Sequence, residues 1–141
     1  MNNSGRQRWF VSALLAGALY PVIALLSASL AAAATTNQTR FFWRLSAFIV
    51  SGGVFLAHLA YEHFRLRHSP RPTAWHVAVA VGLGAFALAT MANIHDLRSP
   101  AGYRPRMLVA LIAWPLLTAV PAFVVALIVT TVLAMKRPSE I

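Results

Sequence analysis

Residues 41–65 read FFWRLSAFIVSGGVFLAHLAYEHFR. At about 1.5 Å per helical residue, Phe41 to Phe64 is long enough to cross the roughly 30 Å hydrocarbon core of a bilayer. Within this apolar stretch Arg44, Ser51, His58 and Arg65 recur at sevenfold spacing, and Glu62 follows His58 by four. Seven residues make nearly two helical turns, so these side chains share one face, drifting by about 20° per step. Polar groups at membrane depth are costly and usually face protein, water or a ligand. The segment therefore predicts a transmembrane helix with one functional face.

The rest of the chain agrees with this reading. Of 141 residues, 59% are hydrophobic and 11% are charged, against roughly 25% charged in a soluble domain. Cysteine is absent, which excludes disulfides, thiolate metal sites and thiol catalysis. The only acidic residues are Glu62, Asp96 and Glu140, too few and too dispersed for paired-carboxylate chemistry. The net charge of +9 comes from Lys and Arg scattered between apolar runs. That pattern suits anionic lipid headgroups rather than nucleic acid.

Four spans are expected, at about residues 9–33, 41–64, 75–93 and 107–135. The short links between them make neighbours antiparallel. The fold class is an all-α integral membrane protein, an antiparallel four-helix transmembrane bundle forming one domain over residues 1–141. The first apolar run, preceded by Arg6 and Arg8 and ending in Ala31-Ala32-Ala33, resembles a secretory signal. It is longer than the usual 7–15 apolar residues, so it reads as a retained span. One side of the membrane would hold Arg6, Arg8, Arg65, Arg67, Arg71, Lys136 and Arg137, and the other Arg40, Arg44, Arg98, Arg104 and Arg106. The positive-inside rule then places both termini in the cytoplasm. The Ala- and Arg-rich composition points to a bacterial inner membrane, and the Asn37-Gln38-Thr39 sequon lies too near the bilayer to serve as an acceptor.

Aromatic residues, among them Trp9, Trp43, Tyr61, Trp75 and Tyr103, fall at expected interfaces. Ala13/Gly17, Ala78/Gly82 and Ala85/Ala89 are small pairs at four-residue spacing, which let helices approach closely. Gly52 and Gly53 suit a bend or tight crossing in the second span. Pro21, Pro115 and Pro121 lie inside spans and break helix hydrogen bonds, and Thr118 is placed to satisfy a carbonyl so released.

Two polar clusters follow from depth. His58, Tyr61, Glu62, His63, His68 and His76 share the near side, and Arg44, Asn93, His95 and Asp96 the far side. His58, His76 and His63, with Gly82 as the small neighbour at the depth of His58, are the cofactor-binding candidates for haem b or quinone. A bis-histidine haem needs imidazoles at one depth on facing helices, and His58 and His76 differ by about 7 Å at 1.5 Å per residue. His58, Glu62 and His76 are the metal-ligand candidates, since positions four apart share a helix face. His58 with Glu62 also suits a proton relay in a small ion or proton transporter or channel. Arg44 and Asp96, similar in depth, form an expected ion pair. His63 and His68 otherwise read as solvated link residues. No catalytic motif accompanies these groups. The expected role is a small non-catalytic subunit or assembly partner of a larger membrane complex, or a homo-oligomer.

Overall fold

The computed structural model describes residues 3–66, 68–100 and 104–135, with side chains from residue 7 onward. Arg67, Tyr103, Lys136, Arg137 and Glu140, and the side chain of Arg6, lie outside the described residues. The fold is helical throughout: α1 (Asn3–Ala33), α2 (Asn37–Ala60) running into a π-helical turn (Tyr61–Arg65), α3 (Pro70–Leu97) and α4 (Arg106–Met135). All four are long and apolar enough to cross a membrane, which fits a multi-pass membrane protein. Each helix outruns or matches the apolar stretch that predicts it, because polar ends such as Asn37–Arg40 and Ile94–Leu97 continue the hydrogen-bonded spiral beyond the hydrophobic part.

Local chemistry sets the helix starts. Thr36, extended at φ −113° and ψ 151°, accepts a hydrogen bond from the Thr39 amide at 3.1 Å and opens α2. Pro70 and Pro72 open α3, where the lost amide donor has no helical partner to miss. Pro115 and Pro121 remain inside α4. The Thr118 hydroxyl donates to the Trp114 carbonyl at 3.0 Å and the Pro115 carbonyl at 3.1 Å. The carbonyls that the two prolines release belong to Leu111 and Leu117, four residues earlier, so Thr118 does not perform the rescue expected of it.

The lateral order departs from chain order. α1 packs against both α2 and α3, and α3 packs against α4, whereas α2 and α3 barely meet. The helices therefore run α2–α1–α3–α4 across the molecule. Small residues make the α1–α3 contact. Ala13, Ala16 and Ala80 are buried together. A Cβ on Gly84 would stand 2.8 Å from the Tyr20 Cβ and 2.9 Å from the Gly17 carbonyl oxygen, and one on Gly17 3.0 Å from the Ala80 oxygen. The working pairs are thus Ala13/Gly17 and Ala80/Gly84. Gly82 instead looks toward Ala119 on α4 at an ordinary 3.5 Å, and nothing lies within 4 Å of a Cβ on Gly52 or Gly53. The tight crossing expected at those two glycines does not form, because no neighbouring helix comes within reach of that face of α2.

A second cluster joins Leu59, Ala74, Val77 and Ala126, with Phe55, Phe123 and Leu127 around it. Asn93 ties α3 to the start of α4 by donating to the Met107 carbonyl at 2.8 Å. Outward, large apolar side chains such as Phe48, Ile49, Ile112 and Leu117 are exposed, far more than a water-soluble surface carries.

Gly84→Ala should lower stability by about 1–3 kcal/mol, the usual cost of overpacking, whereas Gly53→Ala should be neutral or stabilising by up to about 1 kcal/mol through helix propensity. Thermal unfolding of both variants in the same detergent checks the contrast.

Candidate functional site

Glu62 is fully buried. It lies in the π-helical turn, whose wider ring is closed by the Leu66 amide donating to the Tyr61 carbonyl at 3.2 Å. Such turns recur at functional positions because the extra residue redirects side chains. Here two consecutive polar residues, Glu62 and His63, both turn inward.

Three other segments converge on the Glu62 carboxylate. His68, in the link to α3, places Nδ1 2.7 Å from Oε2, and His76 of α3 places Nδ1 2.9 Å from the same oxygen. A carboxylate only accepts, so each ring donates through Nδ1–H. Ser12 of α1 donates to Oε1 at 3.1 Å. His58, one turn earlier on α2, holds Nε2 3.7 Å from Oε1, an ion-pair distance beyond hydrogen-bond reach. Trp9 of α1 stacks on the His76 ring, with centroids 4.2 Å apart and planes within 4°. One carboxylate thus binds together α1, α2, the link and α3.

The ligand atoms of Glu62, His68 and His76 lie within 4.8 Å of one another, so the cluster could hold a metal ion. His68 replaces His58 in the expected set. Its position in a short, Pro-flanked link reads as solvated, yet the link folds back over the carboxylate, with the His68 amide 3.4 Å from the Glu62 carbonyl. The sequence signal that could have found it is the recurrence of histidines on both sides of the second connection.

His58 and His76 both approach Glu62, so the depth mismatch expected between them is closed by the reach of the Glu62 side chain. The carboxylate thus lies near one ring nitrogen of each histidine. His63 is buried and packs edge-on against Phe64, with ring centroids 4.9 Å apart. Gly82 lies toward α4, away from His58. His58 is itself buried, and neither ring nitrogen has a hydrogen-bond partner. It lines a cavity of about 560 Å³ between α1 and α2, together with Arg8, Val11, Ser12, Leu15 and Tyr61.

On the far side, Asp96 is paired with Arg104, not Arg44. The Arg104 backbone amide donates to Oδ2 at 2.9 Å and its Nε to Oδ1 at 2.9 Å. The Coulombic attraction to this guanidinium and its hydrogen bonds hold the Asp96 pairing, while Asp96 in turn raises the Arg104 pKa. Arg104 wins because it closes the same α3–α4 connection, whereas α1 stands between α2 and α3 and keeps Arg44 away. His95 is exposed, and Asn93 bonds across to α4.

Asp96→Asn should loosen this connection and speed tryptic cleavage after Arg98, while Arg44→Ala leaves cleavage there unchanged. Limited proteolysis followed by mass spectrometry of the fragments checks both.

Comparison with protein-family models, with curated proteins and with solved structures finds no match to this chain.

Proposed function

We propose that the chain is a small multi-pass membrane subunit that binds one divalent transition-metal ion through Glu62, His68 and His76. The observation that carries this reading is the complete burial of Glu62 with two imidazoles on one of its oxygens. Two histidines and a carboxylate suit zinc or a similar borderline ion and leave a fourth position for water or a further ligand. Bond lengths of about 2.0–2.1 Å put such ligand atoms about 3.3 Å apart. The present 2.7 and 2.9 Å contacts would open slightly as a metal takes the two Nδ1 positions and each neutral ring carries its proton on Nε2 instead. Ser12 would orient the carboxylate through its other oxygen, and Trp9 would fix the His76 ring, as outer partners do at metal sites.

In this reading the helices are antiparallel in a bacterial inner membrane, with both termini cytoplasmic and the metal near the cytoplasmic interface. The subunit is non-catalytic and works within a larger complex or a homo-oligomer, where its exposed apolar flanks meet lipid and partner helices. A second reading, proton relay, is favoured by one observation: Glu62 stands between His58, which faces a cavity, and His68 and His76 on the other side.

Isothermal titration of the detergent-purified protein with Zn²⁺ should give one site per chain. Glu62→Gln and His76→Ala should each weaken it at least about tenfold, the scale of losing one good ligand contact, and His58→Ala should have little effect. Unchanged zinc affinity in Glu62→Gln would refute the metal assignment. Proton flux in proteoliposomes that is lost in His58→Ala, with zinc binding intact, would favour the relay instead.

A further inference from the structure

A second, larger cavity of about 790 Å³ lies on the other half of the α1–α2 seam, closed by α3 and α4. It contains none of the Glu62 cluster, so it stands independently of the metal reading. Its size falls within the roughly 300–1,000 Å³ of small-ligand sites. Its walls are mostly apolar, including Ala24, Ala28, Ala47, Val81 and Ala85, and it has two polar layers. Arg40 and Arg44 form the outer one. Ser51 forms the inner one, about 10 Å further along α2 than Arg44 at 1.5 Å per residue.

Among the described residues the acidic side chains are Glu62 and Asp96, held by the histidines and by Arg104, which leaves Arg44 without a counter-charge. Arg40 donates through Nε to the Ala34 carbonyl at 3.2 Å, which fixes its guanidinium at the mouth with donors to spare. The Tyr20 hydroxyl is buried without a hydrogen-bond partner and its Cβ and ring pack over Gly84, so Tyr20 gives the cavity ring surface rather than its oxygen.

An occupant must therefore be anionic at one end and apolar beyond. We propose that this cavity binds one anionic phospholipid. Its phosphate sits on Arg40 and Arg44, and one acyl chain runs past Ser51 along the alanine-lined wall. Charge-assisted hydrogen bonds from the arginines distinguish this lipid from the surrounding bilayer, and the alanines supply the width a chain needs.

Native mass spectrometry of the protein released from mild detergent tests the site, with phosphatidylglycerol or phosphatidylcholine added. One phosphatidylglycerol per chain should be retained in preference to phosphatidylcholine. Arg44→Ala should lower its retention about tenfold, the loss expected for one charge-assisted contact. Ala28→Trp and Ala47→Trp, which fill the cavity from α1 and α2 separately, should abolish it. Arg98→Ala, an exposed cation outside the cavity, should change nothing. Equal retention of the two lipids, an equal loss in Arg98→Ala, or full retention in either folded tryptophan variant would overturn the proposal. Thermal unfolding identifies which of the tryptophan variants is folded.

Discussion

A carboxylate with no exposure to solvent is the constraint around which this molecule is arranged. Removing an ionised group from water costs several kcal/mol at least, unless hydrogen bonds and opposite charge replace its hydration. Glu62 meets that demand by drawing Ser12, His68 and His76 onto its two oxygens, with His58 close by. Each partner comes from a different segment, so satisfying one group fixes the end of α2, the path of the following link, the start of α3 and the seating of α1. The π-helical turn is the local distortion that makes this geometry available. Helix packing elsewhere follows a different rule, since apolar side chains gain little from touching each other instead of lipid. There the close approach of Gly17, Ala80 and Gly84 supplies the specificity.

Much of this was legible in the sequence, for identifiable reasons. Span number and placement follow from the length of apolar runs, which is a property of the chain alone. The gathering of His58, Glu62 and His76 at one end of the bundle follows from connectivity through a short link, although the expected depth difference between the two histidines does not foretell their meeting at one carboxylate. Lateral order was not legible. Nothing in the residues of α1 announces that it sits between α2 and α3, and the expected Arg44–Asp96 pair fails for that reason alone. The four-residue spacing of small side chains was visible, but an Ala-rich helix offers several such pairs, and only contact with Tyr20 and Gly17 singles out Gly84 over Gly82. The inward turn of His68 depends on a backbone excursion that no periodicity encodes.

The polar stripe on α2 proves to be divided. Arg44 and Ser51 line one cavity and His58 the other, while Glu62 lies beyond both, inside the protein. The sevenfold spacing therefore marks a seam with α1 rather than a continuous path. The same seam explains why two polar faces can coexist on a helix whose outward side, at Ile49 and Leu56, is apolar and exposed.

The position of α2 also has a mechanical consequence. It is fastened at its ends, by the Thr36 cap and short link on one side and by the Glu62 network on the other, and touches little but α1 in between. Its midsection carries Gly52 and Gly53, which contribute no side-chain contact. Local opening starts where buried contacts are fewest. The middle of α2 is therefore the stretch that can shift sideways with the least loss of packing, while its backbone hydrogen bonds stay closed because lipid offers no replacement.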